Sequence, residues 1–135
     1  MISTDSQSGQ AEVQRIGALE LAYLGDSVFD LYVRECLIQQ GTGVHEMHQR
    51  AIHYVNAQAQ ADAMERLMPH LSSTEQDLVR RGRNAKPHHA APHRAGYIAY
   101  SQATALEALV GYLYLSGQTD RLRKLLRIAM EVPNE

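Results

Sequence analysis

The chain carries apolar side chains at three- and four-residue steps over most of its length, which is the period of an α-helix. The longest run predicts a helix over residues 18–40 that is apolar on most sides and ends at Gly41. A second predicted helix covers about residues 46–68, and Pro69 follows it. Both runs are too long for strands, so the N-terminal half is predicted to be helical.

The C-terminal half predicts three further helices separated by turn residues. Ser72 and Glu75 have the spacing of a capping box, which predicts a short helix from there to Gly82. Residues 82–96 contain two glycines, two prolines and three histidines, which indicates an irregular loop. Helices are then predicted over residues 101–115 and 120–131. No stretch alternates as a strand does, so the predicted fold is all-α, with residues 1–14 as a flexible tail and residues 15–132 as the one domain.

Charge is distributed unevenly along the chain. The formal net charge is −2, but residues 80–94 contain five Lys or Arg residues and no acid, while the other 120 residues contain eight basic and fifteen acidic residues. Such a basic segment suits phosphate binding through charge-assisted hydrogen bonds. A solvated surface loop explains the same composition, and the residues leave both interpretations open.

The sequence also indicates a cellular compartment. One cysteine excludes an internal disulfide, and the N-terminus lacks the charged and apolar regions of a secretory signal. No apolar stretch reaches the length of a membrane span. We therefore expect a cytoplasmic protein with no membrane partner. The histidines lie mainly at a helix start and in the basic loop, where surface positions are far commoner than zinc sites.

Two acids stand out because each lies inside an apolar helix. Asp26 shares one helix face with Asp30, and this pair favours a cation site over a local salt bridge. Glu107 is the only acid between Asp77 and Asp120. An ionised carboxylate in such surroundings is costly unless something compensates it, so Asp26 and Glu107 are predicted to bind a hard divalent ion such as Mg²⁺ or Mn²⁺. Solvated or salt-bridged acids are the alternative that the residues alone leave open.

Three ordered segments resemble the ribonuclease III family. Residues 21–28, Leu-Ala-Tyr-Leu-Gly-Asp-Ser-Val, resemble its signature Leu-Glu-Phe-Leu-Gly-Asp-Ser/Ala-Val/Ile. Residues 104–111, Thr-Ala-Leu-Glu-Ala-Leu-Val-Gly, resemble its second catalytic segment, in which Glu-Ala-Leu-Ile-Gly is typical. Residues 81–86 between them, Arg-Gly-Arg-Asn-Ala-Lys, look like Mini-ribonuclease III, the branch with a catalytic domain and no double-stranded-RNA-binding domain. The resemblance covers about residues 15–130.

The resemblance implies a helical endonuclease domain that forms a homodimer and cleaves double-stranded or structured RNA with Mg²⁺, for which Mn²⁺ can substitute. Asp26 and Glu107 would be the catalytic and metal-binding residues, and the products would carry 5′-phosphate and 3′-hydroxyl ends. The side chains expected to bind the RNA backbone are Arg81, Arg83, Asn84, Lys86 and Arg94. The branch is associated with maturation of precursor 23S ribosomal RNA, so that RNA and ribosomal proteins are the expected partners. The helix over residues 18–40 is apolar on more faces than a domain of this size can cover, and this favours a dimer independently of the resemblance.

Two positions depart from the larger enzymes of the family, which have four acids in each site. Ala22 stands four residues before Asp26, and Thr104 stands three residues before Glu107, where the further acids would be. The short branch resembles this chain in that reduction, so the site is expected to be active, with its number of metal ions left open. The alternative function is a non-catalytic RNA- or ribosome-binding module that keeps the fold.

Overall fold

The fold is a set of packed helices, seen in a computed structural model that describes residues 7–85 and 94–131. These residues form seven α-helices and one turn of 3₁₀ helix: α1 Gln7–Gln14, α2 Ala18–Gln40, α3 Val44–Val55, α4 Ala57–Leu67, the 3₁₀ turn Met68–His70, α5 Ser73–Asn84, α6 Arg94–Leu115 and α7 Thr119–Ala129. Neither range contains a strand, so the all-α prediction is confirmed. No helix in these ranges is both long and apolar enough to cross a membrane.

Helix α6 is the centre of the fold, and α2, α4 and α5 pack around it. The side chains of Ala105, Leu106, Ala108, Leu109 and Leu113 on α6 are at most 1% exposed. Burying one leucine side chain stabilises a fold by about 1.5–3 kcal/mol relative to leaving it exposed. Because neighbours cover α6 on several sides, its sequence shows little of the polar face that a surface helix has.

Asn56 divides the segment that we predicted as one helix over residues 46–68, and that prediction is wrong. The backbone of Asn56 is extended, with φ −73° and ψ 156°. Its side-chain oxygen accepts the N–H of Ala59 at 2.8 Å, and its Nδ2 donates to the carbonyl of Ile52 at 2.7 Å. One side chain therefore satisfies backbone groups at the end of α3 and at the start of α4, as an N-cap residue does.

Helix α5 begins with the predicted capping box. Ser72 Oγ accepts the N–H of Glu75 at 3.2 Å, and Glu75 Oε1 accepts the N–H of Ser72 at 2.9 Å. Arg121 of α7 donates to both carboxylate oxygens of Glu75, at 2.7 and 2.9 Å. Burial by itself raises the pKa of Glu75, but the hydrogen bonds and positive charge of Arg121, together with the hydrogen bonds of Ser72, lower that pKa overall. The ionised pair ties α5 to α7.

Both predicted bounds of the loop over residues 82–96 are wrong. Helix α5 continues through Gly82 to Asn84, and α6 begins at Arg94. A Cβ built on Gly82 would lie 2.7 Å from Ala105 Cα. This glycine therefore lets α5 approach α6 closely instead of ending α5.

Residues 7–14, within the segment predicted as a flexible tail over residues 1–14, are helical in the structure. These residues form α1, and Val13 in it is completely buried. Arg81 of α5 donates to the carbonyls of Gln14 and Ile16, at 2.8 and 2.7 Å, and so holds the link between α1 and α2. The packed domain thus starts before residue 15, while residues 1–6 lie outside the described residues.

Candidate active site

Helices α2 and α6 cross backbone to backbone at two glycines. A Cβ built on Gly25 would lie 1.7 Å from the carbonyl oxygen of Glu107, and one built on Gly111 would lie 2.1 Å from the carbonyl oxygen of Leu21. A larger residue at either position would force the helices apart. Asp26 follows Gly25, and Glu107 lies one turn before Gly111. The crossing therefore brings the two predicted carboxyl groups together.

Asp26 and Glu107 both line an open cavity of about 580 Å³, and they lie close enough for Asp26 to raise the pKa of Glu107. The residues that line this cavity are Leu19, Glu20, Ala22, Tyr23, Asp26, Tyr100, Thr104 and Glu107. Among these described residues there are three acids and no base. The cavity therefore has negative charge that its own walls do not offset.

Glu107 keeps its proton near neutral pH. Burial, followed by the hydrogen bond and the negative charge of Asp26, raises the pKa of Glu107 from 4.5 to about 8, against the opposing effect of a hydrogen bond from Gln60. A carboxyl group that stays protonated beside a second carboxyl group lacks a positive counter-charge. Perturbed acids of this kind are concentrated at sites that bind cations or carry out acid–base chemistry.

Two residues of the site were missed by the sequence analysis. Gln60 on α4 is only 4% exposed, and its side-chain amide acts to lower the pKa of Glu107. Glu20 is an exposed acid that lines the cavity. A signal for Gln60 existed in the sequence, because it stands three and four residues before the buried Ala63 and Met64 and hence on the core face of its helix. Glu20 carried no comparable signal.

The two positions that hold acids in larger enzymes hold small, buried side chains in this cavity. Ala22 is 7% exposed and Thr104 is 5% exposed. Thr104 Oγ1 donates to the carbonyl of Tyr100 at 3.0 Å, so its hydroxyl is bound within α6. In residues 7–85 and 94–131 no group of three or more His, Cys, Asp or Glu side chains is arranged to hold a metal. The acids that line the cavity are thus Glu20, Asp26 and Glu107.

Asp30 is part of a different contact. Its Oδ2 lies 3.0 Å from Nε of Arg34, one turn further along α2, and it does not line the cavity. The prediction that Asp26 and Asp30 form a cation site rather than a local salt bridge is therefore wrong for Asp30. A local salt bridge on the surface of α2 accounts for Asp30.

The structure describes the side chains of three of the five residues predicted to bind RNA. Arg83 and Asn84 lie in the last turn of α5, partly and largely exposed. Arg81 already donates two hydrogen bonds to backbone carbonyls, so a contact with RNA would have to use its remaining donors. Lys86 and the side chain of Arg94 lie outside the described residues. The predicted basic surface is thus described only at the end of α5.

Comparison with known proteins assigns this fold to a family. The Ribonuclease III domain family matches residues 19–118. The Mini-ribonuclease 3 of Symbiobacterium thermophilum is 50% identical over 114 residues, which cover 84% of this chain and 87% of the relative. That of Synechocystis is 41% identical over 122 residues, which cover 90% of this chain and 82% of the relative.

A solved structure agrees with these sequence matches. An X-ray structure of a protein from Fusobacterium nucleatum superposes with a TM-score of 0.77 and 27% sequence identity, and the alignment covers 89% of this chain and 96% of the other. The matched region includes both glycines of the helix crossing and both carboxyl groups beside the cavity. The chain therefore belongs to the ribonuclease III family of endoribonucleases and groups with the Mini-ribonuclease 3 proteins within it.

Proposed function

We propose that this protein is a Mg²⁺-dependent endoribonuclease that cleaves double-stranded or structured RNA, with Asp26 and Glu107 as its catalytic and metal-binding residues. One observation carries the assignment of the site: the two carboxyl groups line the same cavity, whose described walls hold three acids and no base. Both residues fall within the part of the chain that matches the ribonuclease III domain.

The donor set suits a hard divalent cation. Carboxylate oxygens are the protein ligands that Mg²⁺ prefers, and Mn²⁺ accepts the same ligands. Burial, followed by the hydrogen bond and the negative charge of Asp26, raises the pKa of Glu107 to about 8. A cation would offset that negative charge. Two carboxylates leave most of the coordination to water and to RNA oxygens, which is typical of Mg²⁺ sites at phosphates.

The reaction is hydrolysis of a phosphodiester. The oxygen of water forms a bond to phosphorus, the bond from phosphorus to O3′ breaks, and O3′ takes a proton, which leaves 5′-phosphate and 3′-hydroxyl ends. When bound, Mg²⁺ supplies the Lewis acidity that activates water and offsets charge on the phosphoryl oxygens. Asp26 and Glu107 would hold the cation, and the close helix contact at Gly25 and Gly111 fixes the spacing of these two residues.

Binding of the RNA backbone is assigned to the end of α5 and to the segment after it. Arg83, Asn84, Lys86 and Arg94 supply cationic or amide donors there, and Arg81 supplies the donors that its two carbonyl contacts leave. Phosphate contacts of this kind depend strongly on salt and carry little sequence information. A-form RNA is recognised mainly by its shape and its 2′-hydroxyls, so we expect a preference for duplex structure over base sequence.

A homodimer is part of the proposal, and exposed apolar side chains on α2 support it. Tyr23, Leu31 and Ile38 are 86%, 58% and 65% exposed along this helix. Apolar surface of this kind, at a face that includes the edge of the cavity, suits a second copy of the chain. Light scattering of the purified protein at micromolar concentration should give twice the mass of 15.1 kDa, and a monomeric mass would contradict the dimer.

Precursor 23S ribosomal RNA is the substrate that we propose, with ribosomal proteins as further partners. The deciding experiment incubates the purified chain with this RNA, with and without Mg²⁺, and maps the ends of the products. Asp26→Asn should abolish Mg²⁺-dependent cleavage while the fold is retained. Asp30→Asn is the matched control, because Asp30 lies one turn away in a surface salt bridge, and it should cleave as the wild type does.

The result also separates the enzyme from a non-catalytic RNA-binding module that keeps the fold. Binding of duplex RNA without cleavage at any Mg²⁺ or Mn²⁺ concentration would replace the proposed enzyme with such a module. Full cleavage by Asp26→Asn would show that the catalytic site lies elsewhere.

A further inference from the structure

A second cavity lies between the C-terminal half of α2 and α7. Its volume is about 90 Å³, and its lining residues are Tyr32, Glu35, Cys36, Gln39, Arg123, Leu126, Arg127 and Met130. None of these residues lines the cavity of Asp26 and Glu107. The two cavities also differ in charge, because the described walls of this one hold two arginines and one acid. Walls of this composition suit an anion rather than a cation.

Two contacts restrain Arg123 at the wall of this cavity. Its Nη1 donates to Oε1 of Glu35 at 2.8 Å, and its Cζ lies 4.9 Å from the centre of the Tyr32 ring. The hydrogen bond to Glu35 is the main reason why the pKa of Arg123 is raised, so the guanidinium stays charged. A guanidinium has several N–H donors, and the contact with Glu35 leaves others for a second acceptor.

Arg127 lies one turn further along α7 and lines the same cavity. In the part of the chain that the structure describes, no acid lies within salt-bridge distance of its guanidinium. The charge of Arg127 therefore lacks the partner that Arg123 has in Glu35. Like charges four residues apart on a helix destabilise it, so an anion bound between the two guanidinium groups would relieve their repulsion.

The chemistry of the wall matches a phosphate group. The planar guanidinium fork fits phosphate oxygens, which accept several charge-assisted hydrogen bonds at once. Tyr32 and Gln39 add a hydroxyl and an amide to the same wall. A cavity of about 90 Å³ has room for a few water molecules or for one small anion.

We propose that the cavity between α2 and α7 is a binding site for a phosphate group, which Arg123 and Arg127 hold outside the catalytic cavity. Glu35 and Tyr32 place Arg123 before the anion arrives, and Arg127 supplies the charge that no described acid offsets. The phosphate belongs either to a small free ion or to an RNA backbone, and the same side chains recognise both. The site requires neither Mg²⁺ nor cleavage, so its test does not depend on the proposed nuclease activity.

Cys36 provides a direct readout, because it is the only cysteine of the chain and it lines the cavity. The rate at which iodoacetamide alkylates Cys36 is measured in the full chain, in EDTA, over a range of inorganic phosphate concentrations. Potassium chloride keeps the ionic strength constant, so that general screening does not contribute. Phosphate should slow the alkylation of the wild type, because the bound ion blocks access to the thiol.

The variant Arg127→Gln should need a phosphate concentration about tenfold or more higher for half-maximal slowing, since it removes charge-assisted hydrogen bonds to the anion. Lys124→Gln is the matched control, because Lys124 is an exposed cation on the same helix that does not line the cavity. This control should protect Cys36 at the same phosphate concentration as the wild type. Equal protection in Arg127→Gln and the wild type, or no protection in the wild type, would overturn the proposal.

Urea unfolding decides the question if Cys36 reacts too slowly to be followed. An ion that binds only the folded chain stabilises it. Phosphate should therefore raise the unfolding midpoint of the wild type and of Lys124→Gln more than that of Arg127→Gln, relative to potassium chloride of the same ionic strength. Equal shifts in the three proteins would contradict a site at Arg127.

A short duplex RNA in place of inorganic phosphate identifies the source of the phosphate group. EDTA prevents metal-dependent cleavage during this measurement. Protection of Cys36 by the duplex that is weaker in Arg127→Gln would show that an RNA phosphate occupies the cavity. Protection by inorganic phosphate without protection by the duplex would identify a site for a small free ion.

Discussion

Replacing Glu107 by glutamine should make the metal-free protein more stable at neutral pH, although it removes a proposed catalytic group. Folding raises the pKa of Glu107 from 4.5 to about 8, chiefly by burial and then by the neighbouring Asp26. The unfolded chain ionises this group freely at neutral pH, whereas the folded chain must keep it protonated. Glutamine has nearly the same shape, carries no proton to lose, and can donate to Asp26 in the same way.

The magnitude follows from the pKa shift. Each pKa unit corresponds to about 1.4 kcal/mol of free energy. At pH 7.5 the pKa shift of Glu107 lowers the free energy of unfolding by about 4 kcal/mol relative to a group that is always neutral. Because an amide does not reproduce every contact of a protonated carboxyl group, we expect Glu107→Gln to gain about 2–4 kcal/mol at this pH.

The sign of the pH dependence gives the sharper test. The folded state of the wild type holds more protons than the unfolded state between the unfolded pKa of 4.5 and the folded pKa of about 8. The stability contributed by this group is complete below pH 4.5 and is lost as the pH rises toward 8. The advantage of Glu107→Gln should therefore be small near pH 4.5 and should grow by about 1.4 kcal/mol for each pH unit above it.

Urea unfolding followed by circular dichroism, in EDTA at about pH 5 and pH 7.5, measures both the gain in free energy of unfolding and its dependence on pH. Glu20→Gln is the control: it alters an exposed acid that lines the same cavity, and should change stability by about 0.5 kcal/mol or less. Adding Mg²⁺ should reduce the advantage of Glu107→Gln, because the cation stabilises only the chain that binds it. An advantage that is absent, or that is equal at the two pH values, would refute the reasoning.

Three further substitutions test the packing that positions the site. Gly25→Ala should lower the free energy of unfolding by about 3 kcal/mol or more and abolish cleavage, because its Cβ would meet backbone at 1.7 Å. Gly17→Ala is the control, because its Cβ would meet only the tip of a flexible side chain at 3.2 Å, and its free energy of unfolding should lie within about 0.5 kcal/mol of the wild type. Arg121→Met should cost about 2–4 kcal/mol at pH 7, since it leaves Glu75 buried and unpaired. This loss should shrink as the pH falls below 4.5, because the contribution of a carboxylate with a lowered pKa disappears on protonation. Ser72→Ala should cost about 1 kcal/mol in urea unfolding through loss of the N-cap, and an unchanged midpoint would contradict the role of the capping box.

Sequence patterns were reliable where one local signal determines the structure. The bounds of α2 follow from its apolar period and from Gly41, which has a φ of 69° at its C-terminus. The capping box at Ser72 is likewise a local signal, since both of its hydrogen bonds lie within four residues. The pairing of Asp26 with Glu107 was predicted from two charges inside apolar helices together with the resemblance of their flanking segments to the ribonuclease III family.

The errors arose where tertiary contacts decide. Gly82 resembles a helix end in the sequence, but the approach of α6 keeps it inside α5. Asn56 is a strong N-cap residue, but the apolar period continues across it, so the sequence did not predict the break between the two helices. Gln60 could be placed on the core face of its helix, but Glu107, whose pKa it acts on, lies more than forty residues further along the chain. Arg81 looked like part of a phosphate-binding run, although two of its donors bind carbonyls near α1.

The contact between α2 and α6 also limits how the site can move. Helices separated by side chains can slide past one another by changing rotamers, but Gly25 and Gly111 place backbone against backbone, where there is no rotamer to change. Sliding would require the two helices to separate and would uncover the core of α6. The proposed catalytic centre should therefore behave as a stiff element during turnover, and substrate entry and product release should depend on motion of the RNA and of segments outside this crossing.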